Sequence, residues 1–250
     1  MQAVVDNLLT NYNRSGKGKV VVVLHGWGDD SRSWKNFAAA LDQKYDVLIC
    51  DLPGFGGSES PKSAWGLDDY SSFVAHLLNK LGIKKVYAVI GHSNGGAIAI
   101  RGVARGVLKP EKMILIASAG IRGEYKGRVK ALRMMTKAGK LLAAPLPKSL
   151  KQKVRRQVYS SVGSDMLVAE HLQETFKKII TDDVRNDASS LVVPTLLLYG
   201  EDDDQAPLAY GQTFTQLIKR STLKTFPNSG HFLQLERPTE IIKAVMDFLA

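Results

Sequence analysis

The pentapeptide Gly91-His92-Ser93-Asn94-Gly95 fits the pattern G-x-S-x-G and carries the sharpest chemical signal in the chain. A serine hydroxyl is a weak nucleophile unless a neighbouring base takes its proton. The residues before it, 85–90 (KVYAVI), read as a buried strand, and those after it, 94–103, as a small-residue helix. A serine at such a sharp strand-to-helix turn has its hydroxyl pushed out over the sheet edge. The turn leaves no room for side chains two residues to either side, which explains Gly91 and Gly95. The helix N-terminus that follows presents free N–H groups where negative charge would develop in acyl transfer.

A base and an acid must come from elsewhere. Of five histidines, His76 and His171 lie in helical patterns, and His92 adjoins the serine with its side chain expected to point away. His231 ends the loop Pro227-Asn228-Ser229-Gly230-His231, which follows the last apparent strand and so opens at the sheet's carboxyl edge; it is the expected base. The acid that fixes its tautomer and stabilises the imidazolium is expected among Glu201-Asp202-Asp203-Asp204, again at a strand's carboxyl end. Asp51 also ends a strand, but it precedes the serine, against the order Ser…Asp…His. Its place before Leu52-Pro53-Gly54 suggests a turn role. An oxyanion would need two N–H donors. These are expected from the backbone of Asn94 and from Trp27, in the loop His25-Gly26-Trp27-Gly28. Trp27, Asn94 and Phe232 are expected to form the substrate pocket.

The elements that must position these groups follow from apolar periodicity. Residues 19–24 (KVVVVL), 45–50 (YDVLIC), 85–90, 113–117 (MILIA), 195–199 (TLLLY) and 222–226 read as strands. Residues 34–41, 68–81 and 238–249 read as helices, with Gly82 stopping the second and Pro238 opening the third. Near-continuous apolar strands alternating with helices predict an α/β fold, a mostly parallel central sheet covered by helices on both faces. Residues 121–190 break the rhythm, with helical signals and no strand. They are expected to be an all-helical insertion lying over the carboxyl ends of the strands, where such sheets bind ligands. Within it, residues 164–180 place Val168, Leu172, Phe176 and Ile179 on one helix face, as core or pocket lining.

Together these segments strongly resemble the α/β-hydrolase superfamily through nearly the whole chain. His25-Gly26-Trp27-Gly28 looks like that family's oxyanion motif, Asp51 to Ser58 like its D-x-P-G-x-G-x-S segment, and Gly91 to Gly96 like its nucleophile elbow. Gly200, Asp203 and Pro207 match its acid motif, which selects Asp203 from the four acids. Gly230-His231 with Glu236 and Pro238 looks like its histidine segment. The resemblance implies a core of residues 1–120 and 191–250 and a helical cap of 121–190. It also implies a serine hydrolase that cleaves carboxylic esters through Ser93, His231 and Asp203, with no metal and no cofactor. Related members hydrolyse C–C bonds of diketone-type substrates with the same three groups, and a ligand-binding module on the same fold is a third reading. One departure is Asn94, where Met or Gln is more frequent; the N–H is unaffected, but the side chain makes the acyl pocket more polar.

Composition narrows the classes. The chain has 250 residues, which suits one large α/β domain or two small domains, and at 44% hydrophobic and 23% charged its composition excludes disorder. Cys50 is the only cysteine, so no internal disulfide forms, and a reducing, cytoplasmic setting is expected. No apolar run reaches membrane-spanning length, and no signal-peptide pattern opens the chain. The net charge of +10 is concentrated: residues 121–160 hold 12 basic residues and one acid, Glu124. A general nucleic-acid binder is therefore not expected. Lys126, Lys130, Arg133, Lys137 and Lys140 recur at helical spacing opposite Ala131, Leu132, Met135, Ala138 and Leu142. Such a stripe could meet an anionic surface or an acidic ligand. The partner expected at the site itself is a small-molecule ester.

Overall fold

A computed structural model of the protein describes residues 1–122 and 170–250. Eight strands form one sheet: β1 (Gln2–Val5), β2 (Leu8–Ser15), β3 (Lys19–Leu24), β4 (Tyr45–Cys50), β5 (Val86–His92), β6 (Pro110–Ile116), β7 (Thr195–Gly200) and β8 (Ser221–Phe226). Their spatial order is β1-β2-β4-β3-β5-β6-β7-β8. From β4 to β8 every pairing is parallel, while β1 and β2 are antiparallel additions at one edge. The α/β fold with a mostly parallel sheet is the architecture expected from the apolar runs.

The sheet's two faces are written in alternate residues. Val21 and Val23 pack into one core with Trp34, Phe37 and Leu41 of the segment around α1 (Lys35–Leu41), and with α8 (Pro238–Leu249). Val22 and Leu24 face the opposite core, against α2 (Leu67–Lys80) and α3 (Asn94–Ala104). The period of two along each strand turns successive side chains to opposite faces. On α2, Tyr70, Phe73, Val74, Leu77 and Leu78 are buried on one stripe, the 3.6-residue pattern of a one-sided helix. Gly82 ends it at φ 70°, a conformation that costs glycine little.

Two strands escaped the sequence reading. β1 and β2 form a hairpin whose two-residue turn, Asp6-Asn7, takes φ 50° and 62°. Both positions are left-handed, as a type I′ turn requires, and Asp and Asn tolerate that region. The alternation in LLTNYNRS was the available signal: Leu8, Thr10 and Tyr12 are buried, while Leu9, Asn13, Arg14 and Ser15 are exposed.

The return of the 121–190 segment is described from residue 170. A short 3-10 turn, Glu170–Leu172, precedes α4 (Gln173–Thr181) and α5 (Arg185–Ser189). The expected helix over 164–180 is therefore broken at Leu172 within its described part, and His171 lies in the turn with its Nε2 3.0 Å from the Gly54 carbonyl oxygen. Thr175 Oγ1 accepts a hydrogen bond from Trp65 N–H, and Lys178 Nζ donates to the Ala64 carbonyl. The basic stripe of Lys126, Lys130, Arg133, Lys137 and Lys140, its opposite apolar face, and Val168 lie outside the described residues. The remaining helices are α6 (Leu208–Leu217) and α7 (Leu233–Glu236).

Candidate active site

The turn between β5 and α3 is under backbone strain. Ser93 adopts φ 50° and ψ −118°, a combination that costs a non-glycine residue on the order of 1–3 kcal/mol and survives only where its surroundings enforce it. The enforcement is visible. Ser93 N–H donates to the Ile116 carbonyl at 3.0 Å, and the Ser93 carbonyl accepts from Gly96 and Ala119 N–H. A side chain at Gly95 would sit 2.2 Å from the Leu24 carbonyl oxygen, and one at Gly91 would sit 2.6 Å from Gly96 Cα. Both contacts are with backbone that has nowhere to move, which is the steric reason for the two glycines.

His231 and Asp203 arrive from separate strand ends and meet in the interior. His231 Nδ1 lies 2.8 Å from Asp203 Oδ2, and both side chains are almost completely buried. The other oxygen, Oδ1, accepts the N–H groups of Gln205 and Ala206 at 2.8 and 2.9 Å. Of the four consecutive acids only Asp203 is buried. With Nδ1 turned to the carboxylate, Nε2 is the ring nitrogen left to exchange a proton. A Ser93–His231 hydrogen bond is not among those formed between described residues. Such links often tighten only when substrate arrives.

What links the histidine loop to the elbow is His92. Its Nε2 donates to the His231 carbonyl oxygen at 3.0 Å, and the two ring centroids are 4.9 Å apart. The sequence reading turned this side chain away from the site; it lies beneath it, also against Trp34 and Phe232. Burial, and next the nearby His231, push the His92 pKa down to about 4, so the ring is neutral. Its Nδ1 is also close to the loop after β3: a side chain at Gly26 would come within 2.9 Å of it. No local pattern marks His92 for this work, since both partners are remote in sequence.

His25 and Asp51 hold the adjoining loops. Leu52 N–H donates to His25 Nε2 at 2.9 Å, so the proton of the neutral ring is on Nδ1, beside the Gly26 carbonyl at 2.8 Å. Burial lowers the His25 pKa and keeps the ring neutral. Asp51 accepts from Ser31 N–H, Gly57 N–H and Asn11 Nδ2. Burial opposes its ionisation, but these donors outweigh it and hold its carboxyl below the usual range. It is a turn-former, as its place in the sequence suggested. Cys50, next to it, is buried, and its thiol is pushed up to about 12 by that burial, so it is inert at neutral pH.

A cavity of about 200 Å³ opens at the elbow. Ser93, Asn94 and Trp27 line it, with an apolar wall that includes Leu67, Ile121, Phe176 and Ile179. Trp27 stacks edge-on against Phe55 and packs on Phe176. Phe232, expected in the pocket, is not among the described lining residues. It is 41% exposed, against the His92 and His231 rings. Asn94 begins α3, where N–H groups lack helical partners.

The sequence profile of the alpha/beta hydrolase family matches residues 21–244. The chain belongs to this family. The hydrolase is similar over nearly its full length to enzymes that act on oxo-dienoates. It is 29% identical to 2-hydroxy-6-oxononadienedioate/2-hydroxy-6-oxononatrienedioate hydrolase of Burkholderia vietnamiensis, over 97% of this chain and 91% of that protein. It is 26% identical to 2-hydroxy-6-oxo-6-phenylhexa-2,4-dienoate hydrolase of Comamonas testosteroni, over 98% and 92%. In fold, the hydrolase superimposes on a crystal structure of a membrane phospholipase A described as a bacterial virulence factor. The TM-score is 0.80 at 24% identity, with 100% of this chain and 84% of that one covered. No helix among the described residues is long and apolar enough to cross a membrane.

Proposed function

We propose that the protein hydrolyses carboxylic esters through an acyl-enzyme, with Ser93 as nucleophile, His231 as base and Asp203 as its orienting acid. The observation that carries this reading is the strained Ser93 elbow on a cavity wall, joined through His92 to a buried His231–Asp203 pair. In the first step Ser93 Oγ attacks the ester carbonyl while its proton passes to His231 Nε2. The tetrahedral oxyanion is received by the N–H groups of Trp27 and Asn94, each of which would contribute about 3 kcal/mol to the transition state. Collapse expels the alcohol, which takes the proton from His231. Water then attacks the acyl-enzyme, giving its proton to His231, and the acid leaves as Ser93 recovers its proton. The apolar wall of Leu67, Ile121, Phe176 and Ile179 supports an acyl group with hydrocarbon character, and residues 121–190 would be the cap that closes over it.

The oxo-dienoate names of the curated relatives favour a second reading. There the same serine would attack the 6-oxo carbon, and the adjacent C–C bond would break with protonation of the released carbon. One comparison decides between them: kcat/KM for p-nitrophenyl esters against kcat/KM for a 2-hydroxy-6-oxo-dienoate. Covalent labelling by a fluorophosphonate, followed by intact mass, tests the machinery common to both. A single adduct on the natural chain and none on Ser93→Ala is expected; equal labelling of the variant would refute Ser93 as nucleophile.

A further inference from the structure

One carboxylate grips the backbone on both sides of His231. Glu236 Oε2 accepts the Gly230 N–H at 2.6 Å, and Oε1 accepts the Phe232 N–H at 3.0 Å. Glu236 ends α7, which Phe232 opens without a polar side chain to cap it. The turn is closed in both directions, because Glu236 N–H donates back to the Phe232 carbonyl at 2.9 Å. A side chain at Gly230 would sit 3.3 Å from Oε1 and crowd the carboxylate, so glycine there lets the grip close. The peptide group joining His231 to Phe232 is bonded at both ends: its N–H to Glu236, its carbonyl to His92 Nε2. We propose that Glu236 is a positioning residue, which holds the backbone of His231 so that Nε2 of the ring is presented to Ser93. This inference rests on the reading of His231 as the base.

The need for such a grip follows from what the Asp203 bond leaves open. Asp203 Oδ2 fixes one ring nitrogen, Nδ1. The ring can still swing about that contact, and the place of Nε2 then depends on where the backbone holds Cα. Proton transfer from a serine hydroxyl requires a heavy-atom approach of about 2.6–3.2 Å, so a small drift of the loop is enough to slow it. The upstream half of the loop has its own anchors: Asp202 N–H and Arg237 Nε bond the carbonyl and the hydroxyl of Ser229. Downstream, the carboxylate is the only side chain among the described residues bonded to the Gly230 and Phe232 N–H groups. Bonds from N–H to an ionised acceptor are the strong ones. Glu236 itself is exposed and is not among the described residues that line the cavity. Its replacement therefore leaves neither a hole in the core nor a changed substrate wall.

The test measures kcat and KM for p-nitrophenyl butyrate on the natural chain, Glu236→Gln and Glu236→Ala. Active sites are counted by fluorophosphonate labelling carried to completion, so rates refer to folded enzyme. Glutamine keeps the shape but has one accepting oxygen, so one of the two N–H groups loses its partner; alanine releases both. Both variants are expected to lose kcat per labelled site, by roughly tenfold to a hundredfold and more in Ala than in Gln, with KM nearly unchanged. A role confined to folding would instead lower the melting temperature and the labelled fraction while leaving kcat per labelled site as in the natural chain. That result, or a change confined to KM, would overturn the assignment. His231→Ala in the same assay tests the reading beneath it. Turnover near the natural level in that variant would defeat His231 as base; loss of turnover there, with full kcat in both Glu236 variants, would defeat the positioning role alone.

Discussion

Replacing Arg101 by methionine should destabilise the protein by about 3–5 kcal/mol, and the reasoning is structural throughout. Arg101 sits on α3 with its side chain 7% exposed, and it reaches three carboxylates from three different segments. Its Nε lies 2.7 Å from Asp187 on α5, one terminal nitrogen 2.8 Å from Asp182 after α4, and the other 2.5 Å from Asp68 on α2. Burial disfavours its charge, but the hydrogen bonds to Asp187 and Asp182 outweigh that and raise its pKa. Asp68 is 61% exposed, so water screens it and its share is small. Asp187 and Asp182, 13% and 29% exposed, cannot regain full hydration when the guanidinium is gone. Arg105 also pairs with Asp68 and Asp187, at 3.7 and 4.0 Å, so removal of Arg101 takes one positive charge from the three carboxylates without leaving them wholly unpaired. Methionine keeps much of the aliphatic stem, which isolates the electrostatic loss from a packing loss. Urea unfolding at pH 7 measures the difference. The triple variant Arg101→Met, Asp182→Asn, Asp187→Asn should recover much of it, since the uncompensated charges are then absent. Because Asp182 and Ile179 line the cavity, the single variant should also raise KM. A destabilisation under about 1 kcal/mol, or a triple variant no more stable than the single one, would refute the argument.

Acid should act partly through His92. Its pKa is about 4 in the fold and about 6.5 in an unfolded chain, so between these values the unfolded state alone gains the proton. Stability should therefore fall as pH drops from about 6.5 toward 4, by up to roughly 3 kcal/mol from this group, and no further below. His25, also held neutral, acts in the same direction. His92→Gln keeps a donor toward the His231 carbonyl and has no charge to gain, so urea midpoints between pH 7 and 4.5 should vary less steeply; equal slopes would contradict the assignment. Asp203→Asn should leave the His231 ring in place but favour the wrong tautomer, lowering kcat by about 10⁴-fold while thermal stability changes much less. A drop under tenfold would remove Asp203 from its proposed role.

The regular elements and the elbow were legible because each depends on neighbours in the chain. Unbroken apolar runs in KVVVVL and YDVLIC commit both faces of a buried strand, and a strand, a tight G-x-S-x-G turn and a small-residue helix follow one another without interruption. The hairpin of β1 and β2 was harder, because an edge strand leaves half its positions to water and dilutes the apolar signal. Leu172 and Phe176 were expected to share one unbroken helix face. Tertiary contacts of the Leu172 side chain with the turn at Gly54 decide otherwise, a packing that apolar spacing does not encode.

The residues of the chain alone determined that a mostly parallel sheet would form, that Ser93 would stand at the top of it, and that a histidine and an acid would follow at later strand ends. Local sterics and periodicity suffice for that. That His92 reaches under the site to hold His231 across 139 positions, and that Arg101 draws together segments more than 80 residues away, were decided only by the tertiary structure. Those choices depend on burial and on hydrogen-bond partners brought together by the sheet's crossovers, and no short window of sequence contains both ends of such a contact.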